Sequence, residues 1–119
     1  MDELCQLTAS SCLFFALTKT QTNDSMKTYL IQRNLPNAGA LTLAERKEIA
    51  QRSCQIIEEL GEDKIQWLHS YITLDNLWCV YRAESVEILR EHARRGPFPC
   101  DNIMEMFGTF SPATAEMVV

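Results

Sequence analysis

Residues 64–83 read KIQWLHSYITLDNLWCVYRA, two runs rich in apolar, β-branched and aromatic residues on either side of Asp75 and Asn76. Two turn-forming residues between two such runs are typical of a β-hairpin. We therefore predict strands over residues 64–74 and 77–83, joined by a two-residue turn. The other strands and helices are predicted from the sequence on either side of this hairpin.

The length of the turn determines which side chains share a face of the sheet, because side chains alternate along a strand. A two-residue turn pairs Ile72 with Cys79 and His69 with Arg82. The predicted faces are Leu68, Ser70, Ile72, Cys79 and Tyr81 on the side of the helices, and Trp67, His69, Tyr71, Trp78 and Arg82 on the other side. A slip of one residue would exchange the two faces.

Strand and helix signals continue on both sides of the hairpin. They predict a strand over 27–34, a helix from Thr42 to Leu60, a second helix from Ser85 to about Arg95, and a last strand over 101–110. Thr42 and Glu45 have the spacing of a capping box, and Ser85 is a favourable N-cap. The order βαββαβ predicts an α+β, ferredoxin-like fold, an antiparallel four-stranded sheet with both helices on one face.

Composition limits the class of protein. The chain has 119 residues, 46% hydrophobic and 23% charged, which is typical of one globular domain and not of a disordered or membrane-spanning chain. A net charge of −5 argues against sequence-independent binding to nucleic acid. Five cysteines without a CxxC motif favour reduced thiols. We therefore expect a soluble, cytoplasmic protein with neither nucleic acid nor membrane as a partner.

The first 25 residues differ from the rest. They contain no glycine or proline, and Asp2 and Glu3 stand where a secretory leader carries Lys or Arg. A second methionine, Met26, lies immediately before the first predicted strand. We interpret residues 1–25 as a dispensable, disordered extension and residues 26–119 as the ferredoxin-like domain. The alternative is that a short helix in this extension packs on the domain.

The histidines are the first candidates for chemistry. His69 lies in the middle of a predicted strand among aromatic neighbours, where it is either structural or a ligand or proton-transfer group. His92 lies near the end of the second helix, where its cation would interact favourably with the helix dipole. Glu91 projects about 100° away from His92 around the helix, so the two do not form a chelating pair. Cys79 is predicted to be a buried, inert thiol.

Several longer stretches resemble a known family. They are IQRNLP at 31–36, AGALT at 38–42, IQWLHSY at 65–71, WCVY at 78–81 and REHARRGPFP at 90–99. Over residues 27–115 the chain resembles small bacterial proteins long catalogued as a domain of unknown function and now described as nickel-binding proteins with a ferredoxin-like, dimeric fold. Pro97 and Cys100 depart from the pattern, where glycine and alanine are expected.

The resemblance implies a homodimer of the dimeric α+β barrel type that binds nickel. Nickel(II) accepts imidazole, carboxylate and water ligands, so His69 and His92 are the first candidate ligands, followed by Tyr71, Cys79 and Glu91. Two imidazoles do not complete a site, so further ligands must come from these side chains, water or a partner subunit. We expect dimerisation through the open sheet face, and sequestration or sensing of nickel or another divalent transition metal.

Two alternatives belong to other classes of protein. The first is a dimeric α+β barrel enzyme in which Trp67, Tyr71 and Trp78 wall a small-molecule pocket, with His69 as general base and Arg82 as an anion clamp. The second is a non-catalytic interaction module whose open sheet face binds another polypeptide.

Overall fold

A computed structural model describes residues 26–119. The strands are β1 (Lys27–Asn34), β2 (Ile65–Ile72), β3 (Asn76–Ala83) and β4 (Asn102–Met106), and the helices are α1 (Leu43–Leu60) and α2 (Val86–Arg95). Short 3-10 turns lie at Ala38–Ala40 and Pro112–Glu116. The predictions for residues 1–25 lie outside the described residues. Within the described part of the chain, neither helix is long and apolar enough to cross a membrane.

The four strands form one sheet in the order β2-β3-β1-β4, and every neighbouring pair is antiparallel. Ile57 of α1 and Leu89 of α2 pack into a single core with Ile31, Ile65 and Tyr81 of the sheet. Both helices therefore cover the same face. The predicted α+β fold, with a four-stranded antiparallel sheet and two helices, is confirmed, and the arrangement is compatible with the ferredoxin-like fold.

The hairpin turn is longer than predicted. β2 ends at Ile72 and β3 begins at Asn76, so residues 73–75 form the loop. Ile72 consequently pairs with Leu77 and not with Cys79. The predicted two-residue turn, and the pairings that depend on it, are therefore wrong.

The loop is longer because its backbone bonds to the segment that follows β1. The Leu35 amide donates to the Asp75 carbonyl at 2.9 Å, and the Gly39 amide donates to the Leu74 carbonyl at 3.0 Å. The Asp75 carboxylate also accepts a hydrogen bond from the Asn37 amide at 3.0 Å. These partners lie far apart along the chain, so a local turn pattern does not reveal them.

A β-bulge in β2 changes which face Trp67 occupies. Trp67 pairs with Tyr81, whereas His69 pairs with Val80, so Leu68 is an extra residue between two paired positions. An extra residue breaks the alternation of side chains along a strand. Trp67 therefore lies on the helix side with Tyr81, and the prediction that it shares a face with His69 is wrong.

β4 is shorter than the strand predicted over 101–110. Its last residue, Met106, pairs with Thr28 of β1, and β1 begins only one residue earlier, at Lys27. Residues beyond Met106 have almost no length of β1 left to pair with, so the strand ends there.

We expect Leu89→Ala to lower the free energy of unfolding by about 2–5 kcal/mol, because it removes buried methyl groups and leaves a cavity. Urea denaturation measures this loss. Leu43→Ala is the matched control, because Leu43 is 77% exposed and its truncation is expected to change stability by less than about 0.5 kcal/mol. Equal losses in the two variants would contradict the packing described for α2.

Candidate functional site

The predicted metal ligands lie at different places on the domain. His69 and Tyr71 are exposed on β2, on the sheet face away from the helices, with ring centroids 5.0 Å apart. Cys79 is a buried, free thiol on β3, and His92 is buried on α2. Glu91 lies on α2 beside two arginines.

Among residues 26–119, no three His, Cys, Asp or Glu side chains form a group that could hold a metal ion. The described residues of one chain therefore do not fit a complete metal site.

Both carboxylate oxygens of Glu91 are engaged. Arg94 Nε donates to Oε1 at 3.0 Å, and Arg95 Nε donates to Oε2 at 2.8 Å. The hydrogen bonds from Arg94 and then Arg95 lower the pKa of Glu91 to about 2. A metal ion at Glu91 would have to displace two guanidinium groups.

His92 belongs to a buried polar chain that joins both helices to the sheet. Its Nε2 lies 3.0 Å from Ser53 Oγ, and the same Oγ lies 3.2 Å from Tyr81 Oη. The imidazole also stacks on Phe98, with ring centroids 5.3 Å apart. Its Nδ1 is buried and has no hydrogen-bond partner among residues 26–119.

Burial, and after it the positive charge of Arg33, lower the pKa of His92 to about 3. The imidazole is therefore neutral at physiological pH. The interaction of a His92 cation with the helix dipole, expected from the sequence, does not occur because the side chain enters the core instead of remaining at the surface.

Arg33 is a buried cation that the sequence analysis missed. It is 2% exposed, and its guanidinium carbon lies 5.8 Å from the ring centroid of Tyr81 and 5.4 Å from that of Phe98. Burial lowers the pKa of Arg33, but Tyr81 and Cys79 beside it more than offset this effect, so the pKa is raised and the charge persists. The sequence does carry a signal for this burial. Tyr29, Ile31 and Arg33 occupy alternate positions of β1, and these are the positions whose side chains point into the core.

A cavity of about 410 Å³ lies between α1 and the sheet. Its lining is mostly aliphatic and aromatic, and it includes Trp67 and three arginines, Arg33, Arg46 and Arg52. Tyr71 and Trp78 pair with each other on the opposite face of the sheet. The predicted pocket walled jointly by Trp67, Tyr71 and Trp78 is therefore wrong, and the bulge in β2 is the reason.

Residues 26–119 thus define a small α+β domain whose sheet carries two helices on one face. The family model described as nickel responsive protein, SCO4226-like, matches residues 29–106. Because the match covers more than half of the chain, the protein belongs to this SCO4226-like, nickel-responsive family, and the resemblance seen in the sequence is confirmed. Comparisons with the curated proteins and with the solved structures found no significant match.

We expect His92 to make stability depend on pH. Because its pKa is 6.5 in the unfolded chain and about 3 in the folded one, only the unfolded chain binds this proton between those values. The free energy of unfolding should therefore fall with pH below 6.5, by about 1.4 kcal/mol per pH unit from this group.

Urea denaturation between about pH 7 and pH 5 separates this contribution from those of the carboxylates. The His92→Gln variant should lose stability less steeply than the wild type as the pH falls. Leu43→Ala is the control and should follow the wild type, because Leu43 is exposed and carries no titratable group. Parallel pH profiles for the wild type and His92→Gln would contradict the burial of a neutral imidazole.

Proposed function

We propose that the protein binds nickel as a cytoplasmic homodimer and that it sequesters or senses the metal. Membership of the SCO4226-like, nickel-responsive family carries this proposal. The position of His69 supports it, because an exposed imidazole on an open sheet face is accessible both to a metal ion and to a second copy of the chain. Imidazole is a suitable ligand for nickel(II).

Tyr71 is the second donor that we assign to this site. It lies two residues after His69 in β2 and therefore on the same face of the sheet, and its ring is edge-on to the imidazole. One chain thus offers two donor atoms here, an imidazole nitrogen and a phenol oxygen. A nickel ion requires more ligands than these two. A twofold-related copy would supply the same pair again, because a twofold interface repeats each contact.

The ligand roles of His92, Cys79 and Glu91 remain predictions and rank behind those of His69 and Tyr71. His92 and Cys79 are buried on the helix side, and His92 already uses Nε2 with Ser53. Glu91 is paired with two arginines. Each of these groups would have to lose its present surroundings before it could bind a metal.

The apolar row on the open face supports dimerisation. Leu30 of β1 lies between Val80 of β3 and Met104 of β4 in the sheet register. Val80 is already buried within the chain, Leu30 is half-buried and Met104 is 41% exposed. A second copy that covered this row would remove apolar surface from water. The dimeric α+β barrel arrangement is therefore part of the proposal.

Nickel binding is tested by calorimetric titration of the full chain with Ni(II), Cu(II) and Zn(II). We expect His69→Ala to weaken nickel binding at least about tenfold, since even groups that only support a ligand often contribute that much. Tyr71→Phe should weaken it by removing one oxygen donor. His92→Gln is the comparison variant and should weaken nickel binding less than His69→Ala does, because His92 ranks behind His69 as a ligand. Absence of nickel binding by the wild type, or full binding by His69→Ala, would exclude this proposal.

Dimerisation is tested by sedimentation equilibrium. Met104→Glu should raise the dimer dissociation constant about tenfold or more, because a twofold interface would bury two added carboxylates close together. Leu43→Glu adds the same charge at an exposed site at the start of α1 and should leave the constant unchanged. A wild type that is monomeric with and without nickel would rule out the homodimer.

A further inference from the structure

Arg33 holds a buried hydrogen-bond donor that has no partner among residues 26–119. Its Nη1 donates to the Pro99 carbonyl at 2.7 Å, whereas its Nη2 is buried and finds no hydrogen-bond partner in this part of the chain. The ion pairs found among residues 26–119 do not include Arg33. The Cys79 thiol and the Tyr81 hydroxyl lie beside the guanidinium, but a thiol is only a weak acceptor and neither group carries a negative charge while it is protonated. A buried charged donor left in this condition destabilises a fold, so a bound anion would satisfy it.

The space next to Arg33 has the size and lining of a small-molecule site. The cavity of about 410 Å³ falls within the range of roughly 300–1,000 Å³ typical of ligand pockets. Trp67 and Ile49 contribute apolar wall, while Arg33, Arg46 and Arg52 contribute positive charge. None of the described residues that line the cavity is a carboxylate. This positive, apolar lining contrasts with the net charge of −5 of the whole chain.

We propose that this cavity binds a small monocarboxylic acid with an apolar body, its carboxylate accepting a hydrogen bond from Arg33 Nη2 and its body packing against Trp67. Ser53 and Tyr81 also line the cavity, but the Ser53 hydroxyl is already hydrogen-bonded to both Tyr81 and His92, so Arg33 is the polar contact on which the proposal depends. The site is separate from the proposed nickel site, because His69 and Tyr71 lie on the other face of the sheet.

The lining favours this class of ligand over others. Three arginines disfavour a metal cation or an amine, and a neutral ligand would leave Arg33 without a counter-charge. A phosphate group has three terminal oxygens that need donors, whereas the single unpartnered guanidinium nitrogen, with its two N–H groups, and a mostly apolar wall suit a carboxylate better.

Calorimetry with three compounds that share one apolar body tests the proposal. The compounds are phenylbutyrate, phenylbutanol and phenylbutylamine, titrated into the full chain in buffer that contains a metal chelator. We expect the acid to bind roughly tenfold to a hundredfold more tightly than the alcohol, the usual effect of a hydrogen bond to a charged group. The amine should bind more weakly than either. Arg33→Met should remove the preference for the acid over the alcohol.

A second variant is needed because Arg33→Met also removes the hydrogen bond to Pro99. Ile49→Trp fills the cavity from α1 and leaves Arg33 in place, so it should abolish binding of acid and alcohol alike. Arg94→Met removes an exposed arginine outside the cavity lining and should leave acid binding unchanged. Thermal unfolding of each variant confirms that it is folded before titration.

Three outcomes would overturn the proposal: no binding of any of the compounds, equal affinity for acid and alcohol, or binding that survives Ile49→Trp. His69→Ala should bind the acid like the wild type, because its side chain lies on the opposite face. Loss of nickel binding in that variant with retention of acid binding would show that the two sites are independent.

Discussion

The pairing of β1 with β3 is the interaction on which the rest of the domain depends. The two strands pair along their whole length, from Lys27 opposite Ala83 to Asn34 opposite Asn76, and they occupy the middle of the sheet. This register aligns Ile31 with Cys79 and so places the inward side chains of both strands under the helices. The core, the buried arginine and the floor of the cavity all follow from it.

The sheet separates two environments with different chemistry. On the helix side, the low-polarity surroundings keep His92 neutral, while Arg33 retains its charge beside Tyr81 and Cys79. On the other side, His69 and Tyr71 are exposed. A metal ion suits the accessible imidazole, and an organic anion suits the buried guanidinium. The two proposed sites would thus lie on opposite faces of one sheet, which keeps them apart.

Local signals in the sequence were reliable for the limits of most elements. The capping box of Thr42 and Glu45 forms as predicted, and Ser85 caps α2, because both motifs involve residues only three apart. The β2–β3 turn and the bulge at Leu68 were not predictable in this way. The turn is held by hydrogen bonds to the segment after β1, and the bulge reflects pairing and packing with a neighbouring strand.

The sequence by itself therefore determined the order of strands and helices and the α+β class, since these depend on short-range periodicity. It also determined membership of a nickel-responsive family, which depends on motifs read along the chain. Only the tertiary structure decided that Trp67 faces the helices, that His92 is neutral and that Arg33 is a buried cation beside a cavity. The physical reason is that burial and long-range partners set side-chain direction and charge, and both arise only when distant segments pack together.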